Sequence, residues 1–240
     1  MSAPPLFTHQ KQSIDWGRGR VEIMDASDPG TGKTRSAIEI IRARIRVDGR
    51  AILVVAPKSL LKSAWRDDIM KYAPELVTSI AYAENREEAF TTQADIYITN
   101  TDAATWLAKQ PPKFFRRFST LIIDESGAFK HSTSKRSKAM AKISRHFDFR
   151  HAMNGTVNPN TILDAWHQYF ILDGGKRLGK SFFHFRNSVC QPTQVGPQPN
   201  MVKWEDREGA EAVVASLVLS LIHISEPTRL RRISYAVFCL

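Results

Sequence analysis

The sequence predicts an α/β fold, a parallel β-sheet with helices on both faces. Three observations carry that expectation. Short apolar runs alternate with segments of helical period. A glycine-rich loop, Asp28 to Thr34, lies between such a run and such a segment. The run Leu121-Ile122-Ile123 ends on two adjacent carboxylates, Asp124 and Glu125. The expected strands are Val21 to Ala26, Ala51 to Ala56, Thr78 to Ala83, Asp95 to Asn100, Thr120 to Asp124 and Arg150 to Met153. Between the first two, Ala37, Ile38, Ile41 and Ile45 recur at helical spacing, and Gly49 follows as a stop. A second helix is expected from Ser59 to Tyr72, ended by Pro74, and a third from Ser134 to His146, burying Ala139, Met140 and Ile143. Trp166, Tyr169 and Phe170 mark a helix that closes the unit. Three prolines and a glycine make Gln191 to Asn200 a loop or linker, followed by a helical element to about Val218.

The chain has 240 residues, 42% hydrophobic and 24% charged, enough to bury a core and too apolar for a disordered segment. Its longest apolar run, Ala51 to Ala56, is far short of a membrane span, and no basic-then-apolar leader opens the sequence. Two cysteines, Cys190 and Cys239, make neither a disulfide framework nor a zinc spacing, which fits a reducing, cytoplasmic setting. The net charge of +10 points to a polyanionic partner without locating a site.

The C-terminal residues Leu219 to Leu240 resemble the translation of a transposase-type sequencing adapter, with Leu230 to Arg232 as its variable index. On that reading they lie outside the fold, about 218 residues are native, and 31 basic against 23 acidic residues remain. The expected division is then a nucleotide-binding domain over 1–190, a linker and the start of a truncated region over 191–218, and a foreign tail over 219–240. The alternative is a native tail, since Ile233 to Phe238 passes as a strand by composition.

Chemistry is concentrated in Asp28-Pro29-Gly30-Thr31-Gly32-Lys33-Thr34, between a strand and a helix as a phosphate-binding loop requires. Gly30 and Gly32 let backbone N–H groups turn inward around phosphate oxygens. Lys33 is expected to neutralise the β and γ phosphates and the Thr34 hydroxyl to ligate Mg²⁺. Asp124 is the matching carboxylate for the metal, and Glu125 the group that polarises an attacking water.

These residues resemble the first RecA-like lobe of a superfamily 2 helicase or translocase of the Swi/Snf-like type often encoded by phages, over Leu6 to Asn200. Ser27 stands where the general loop pattern has glycine, the variant found in that superfamily. The resemblance extends the nucleotide set to Ser27 through Thr34 and makes Gln10, in Leu6-Phe7-Thr8-His9-Gln10, a reader of the adenine edge. Ala56-Pro57-Lys58-Ser59-Leu60, with Trp65 beyond, resembles motif Ia, and Ile98-Thr99-Asn100 resembles motif Ib. This implies that Lys58, Ser59 and Thr99 sit near a nucleic-acid backbone. Asp124-Glu125-Ser126-Gly127 departs from the usual Asp-Glu-Ala-His of motif II. Asn154-Gly155-Thr156-Val157 stands in motif III, usually Thr-Gly-Thr-Pro, which couples ATP state to grip on DNA. The resemblance implies ATP and Mg²⁺, a nucleic-acid partner (double-stranded DNA, with RNA left open), a second RecA-like lobe carrying an arginine finger, and a cytoplasmic site of action, in a host cell if the gene is viral.

Lys135, Lys138, Lys142 and Arg145 fall on one helical stripe that either tracks a phosphate backbone or is a solvated face. Lys113, Arg116 and Arg117 form a second cluster, beside Phe114, Phe115 and Phe118, which are expected in the core. The histidines show no metal spacing. The two rival readings are a metabolic P-loop kinase and a nucleic-acid-binding module with a vestigial nucleotide site.

Overall fold

A computed structural model describes residues 4–155, 161–198 and 201–223. The chain enters through helix α1 (Thr8–Arg18), whose start is capped by Gln10 Oε1 accepting from Phe7 N–H at 3.1 Å. Strand β1 (Glu22–Asp25) follows, then α2 (Lys33–Asp48), which buries Ala37, Ile38 and Ile41 and ends on Gly49 as expected. Strand β2 (Ala51–Ala56) leads through a π-helical segment, Leu61–Arg66, into α3 (Asp67–Tyr72). The helix expected over Ser59 to Tyr72 is thus an unbroken helical run from Leu61, its first turn widened to π geometry, with Leu61 and Trp65 buried in the core.

Strand β3 (Thr78–Ala81), helix α4 (Arg86–Thr91) and strand β4 (Ile96–Asn100) complete one wing of the sheet. Two short helices, α5 (Ala104–Leu107) and α6 (Pro112–Phe115), precede β5 (Phe118–Asp124). The third expected helix is α7 (Lys135–Ile143), prolonged by a tight turn to His146, and it leads to β6 (Phe149–Met153). Helix α8 (Leu163–Asp173) carries Trp166, Tyr169 and Phe170.

The main sheet has the order β3-β4-β2-β5-β6-β1, extended by β9, described below, and every pairing is parallel. Its central strands are buried on both faces, so β2 is apolar throughout and β5 carries the apolar run Leu121-Ile122-Ile123. Alternation divides β2 between two cores. Ile52 and Val54 face α2, Leu61 and Trp65; Leu53 and Val55 join Phe118, Met140, Tyr169 and Leu172. Phe115 and Phe118 are buried with that second core, as expected, and β5 begins two residues early so that Phe118 can enter it.

Beyond α8, helix α9 (Phe182–Val189) runs into β7 (Cys190–Gln194), which pairs antiparallel with β8 (Val202–Asp206). The loop expected over Gln191 to Asn200 is thus a hairpin arm at its start, and Pro192 is tolerated because a two-stranded ribbon is all edge. The helical element expected to about Val218 is α10 (Ala210–Val218), with Val214 and Val218 in the second core. The first residues of the expected tail are not outside the fold. Leu221 and Ile222 are buried, and β9 (Ile222–His223) pairs with Met24–Asp25. The physical reason is the edge of β1, which offers Met24 N–H to Leu221 C=O at 2.8 Å.

An ion cluster pins β1 to its surroundings. Glu22 is only 8% exposed and meets Arg150 at 3.0 Å, Lys176 at 2.9 Å and Arg177 at 3.3 Å. Burial pushes its carboxyl up, but Lys176 and Arg150 more than offset this and hold it below the ordinary carboxylate range.

Candidate nucleotide site

Register places three strand ends abreast. Met153 at the end of β6 pairs with Asp25 of β1 on one side and Asp124 of β5 on the other. The glycine-rich loop, the carboxylate pair and the Asn154 segment therefore leave the carboxyl edge of the sheet together, where open α/β sheets bind ligands.

In the loop, Gly30 and Gly32 adopt φ of 82° and 78°, the left-handed region that glycine enters without cost. A Cβ on Gly32 would lie 2.3 Å from Gln10 Nε2, so α1 closes directly on the loop. Lys33 Nζ folds back to donate to Ser27 C=O at 2.6 Å and Asp28 C=O at 3.2 Å. Ser27 N–H donates to Asp25 Oδ1 at 3.0 Å, and Thr31 Oγ1 to Asp28 C=O at 2.8 Å, which fixes the curl of the loop. A cleft of about 540 Å³ opens beside it, lined by Gln10, Gly30, Thr31, Gly32 and Thr34 and by Phe7, His9, Arg35, Asp68 and Tyr72. The Phe7 and His9 rings stack at 5.7 Å, His9 Nε2 meets Thr31 C=O at 2.9 Å, and the Arg35 guanidinium lies 3.9 Å from the Tyr72 ring centre.

Asp124 is 7% exposed. Its Oδ2 accepts from Trp65 Nε1–H at 2.9 Å and its Oδ1 from Glu125 N–H at 3.0 Å. Burial pushes its carboxyl above the ordinary range; the Trp65 and Glu125 donors and the Lys33 ammonium oppose that rise, and Asp25 adds to it. Glu125 is raised by burial and by Asp124, against the pull of Lys33. Among the described residues Glu125 alone, glycines aside, has positive φ, 52°, a strained geometry that persists only where surroundings impose it.

Asn154 joins this group through its backbone and its amide. Its N–H donates to Asp25 C=O at 3.0 Å, and its Nδ2 donates to Gln168 Oε1 at 3.1 Å. The same oxygen accepts from Ser126 Oγ at 2.6 Å, while Gln168 Nε2 donates to Asp164 C=O at 3.0 Å. A Cβ at Gly127 would come within 3.1 Å of Asn154 Nδ2, so the small residue makes room for the larger one. Gly155 abuts Pro29, with its Cβ position 3.2 Å from Pro29 Cγ. Thr156 lies outside the described residues.

The nucleic-acid candidates divide. Lys58 and Ser59 are exposed in the turn after β2. Thr99 corrects the expectation: it is fully buried, and its hydroxyl donates to Ala81 C=O at 2.8 Å inside the sheet. All four residues of the helical stripe are exposed, and two of them are also engaged: Lys142 Nζ donates to Ala108 C=O at 3.1 Å and Arg145 Nη2 to Ile171 C=O at 3.0 Å. Arg117 is spent on packing, its guanidinium within 4.8 Å of the Tyr97, Phe114 and Phe118 ring centres.

Residues 9–237 match the SNF2-related domain family. The chain belongs to that family. A relative of this SNF2-related chain is protein p41 of Acyrthosiphon pisum secondary endosymbiont phage 1, 30% identical over 182 residues, covering 70% of this chain and 39% of p41. A Mycoplasma pneumoniae protein named as an uncharacterized ATP-dependent helicase is 26% identical over 173 residues, 67% of this chain and 16% of that protein. The SNF2-related chain thus spans well under half the length of these relatives. Its fold is similar to the SWI2/SNF2 ATPase core of Sulfolobus solfataricus in complex with double-stranded DNA, with TM-score 0.71 and 22% identity over 93% of this chain and 45% of that one.

The sequence reading assigned no role at this site to His9, Arg35, Asp68, Tyr72 or Gln168. Gln168 did carry a signal: with His167 it makes a polar pair between the aromatic residues Trp166 and Tyr169 of α8, and a buried amide needs partners. His9 and Arg35 lie next to Gln10 and Thr34, whereas nothing local marks Asp68 or Tyr72, which reach the cleft through tertiary packing.

Proposed function

We propose that this chain is the ATP-binding lobe of an ATP-driven motor that moves on double-stranded DNA. The observation that supports it best is the level register of Asp25, Met153 and Asp124, which sets the loop, both carboxylates and Asn154 along one edge. The donor set fits Mg²⁺: a hydroxyl at Thr34 and a carboxylate at Asp124 are hard oxygen ligands, and magnesium is ordinarily held by one or two such groups plus substrate phosphates. Bound there, the ion would neutralise charge on the transferring phosphate. Lys33 exchanges its loop carbonyls for the β and γ phosphates, and the N-terminus of α2 adds favourable field. Glu125, raised by burial and by Asp124, orients water and takes up its proton. Gln10 reads the adenine edge. Asn154 and Gly155, tied to Asp25 and packed on Pro29, relay the nucleotide state, and Lys58 and Ser59 contact the DNA backbone.

On this reading a second RecA-like lobe supplies an arginine finger, so this chain alone binds ATP–Mg²⁺ weakly and turns it over far below about 1 s⁻¹, the lower end for phosphoryl transfer. The likeness to a phage protein supports a viral gene acting in host cytoplasm. Binding of a fluorescent ATP analogue tests the reading. Lys33→Ala should abolish binding, whereas Glu125→Gln should preserve it and block hydrolysis. The reverse pattern, or DNA-stimulated turnover at about 1 s⁻¹ by this chain alone, would overturn it.

A further inference from the structure

We propose that Trp65 is a positioning residue that holds the Asp124 carboxylate in the orientation the metal needs; this rests on the ATP-binding reading above. The indole is fully buried, and its Nε1–H donates to Asp124 Oδ2 at 2.9 Å across 59 positions of sequence. The other oxygen of Asp124 is held by the backbone N–H of Glu125 at 3.0 Å. Both carboxylate oxygens therefore have a fixed donor, which sets the plane of the group and the lone pairs left for a cation. Partners of this kind fix ligand orientation, and their loss ordinarily costs about 10–100-fold in metal affinity or activity.

The backbone around Trp65 is built for this contact. Leu61–Arg66 is π-helical, closed by Asp67 N–H on Lys62 C=O, and such widened turns are rare and concentrate at functional sites. The indole is fully buried in the core that also holds Ile38, Leu61, Ile69, Ile98 and Ile122, so the ring cannot swing out to solvent while that core is intact. The segment begins beside the exposed Lys58 and Ser59 and continues through Asp68 and Tyr72 in the nucleotide cleft. One continuous stretch thus touches the candidate DNA surface, the Asp124 carboxylate and the cleft, and Trp65 is its contact with that carboxylate.

The test compares affinity for a fluorescent ATP analogue with and without Mg²⁺, in the whole chain and in Trp65→Phe. The expected result is unchanged affinity without Mg²⁺ and about a tenfold smaller enhancement by Mg²⁺. In an Asp124→Asn background, Trp65→Phe should have no further effect on that enhancement. If phenylalanine unfolds the chain, benzothienylalanine at position 65 keeps the shape and removes only the N–H. A folded variant with undiminished Mg²⁺ enhancement, or with equal losses in the presence and absence of Mg²⁺, would overturn the proposal. Failure of the parent chain to bind the analogue at all would instead overturn the ATP-binding reading.

Discussion

Replacing Gln168 by leucine removes the oxygen that accepts from Ser126 Oγ at 2.6 Å and from Asn154 Nδ2 at 3.1 Å. Ser126 is 2% exposed and Gln168 1%, so water does not replace the lost acceptor. A buried donor deprived of its partner costs about 1–3 kcal/mol. We expect about 2 kcal/mol for Gln168→Leu, which for a chain of this size lowers Tm by roughly 4–8 °C. Ser126→Ala removes a donor together with its need and should cost about 1 kcal/mol. Because the two residues share a bond, the double variant should be more stable than the two single effects predict, by about 1 kcal/mol. Chemical denaturation of all four proteins measures that coupling. Effects that add within about 0.3 kcal/mol would refute the claim that Gln168 ties the Ser126 turn into α8.

Glu125→Gly should raise stability by about 1 kcal/mol by relieving the φ of 52°, while abolishing hydrolysis; a loss of stability in urea would contradict the strain argument. Glu22 has a depressed carboxyl, so its stabilisation is present above its unfolded value near 4.5 and fades as pH falls through the lower folded value. The stability gap between the parent and Glu22→Gln should therefore be full at pH 7 and shrink on acidification below about 4.5, as thermal melts across that range will show. A chain ending at Val218 should melt below one ending at His223, having bared the β1 edge and lost buried Leu221 and Ile222. Equal melting of the two would place Leu221 and Ile222 outside the stable fold.

Local signals carried the strands and the glycine-rich loop because each is short and self-contained. Val54 and Ile122 are apolar since both faces of the sheet are covered, and Lys33-Thr34 follows Gly32 since a phosphate loop needs that order. What the sequence did not show depends on distant partners. The buried state of Thr99 follows from Ala81 of the neighbouring strand, and the engagement of Lys142 and Arg145 from α5 and α8. The bond from Trp65 to Asp124 joins residues that no periodicity relates. Pro192 reads as a loop residue by composition, and only the presence of Val202–Asp206 opposite makes its segment a strand.

The pairing of Met153 with both Asp25 and Asp124 makes β6 a spacer of fixed gauge. Neighbouring strands lie about 4.8 Å apart, so Asp25 and Asp124 stand roughly 10 Å from each other across it. An insertion within Phe149–Met153 would turn every following side chain to the opposite face and displace Asn154 from Gln168, although no residue that contacts nucleotide had changed. The length of β6 therefore sets the geometry of this edge as firmly as the identity of any side chain on it.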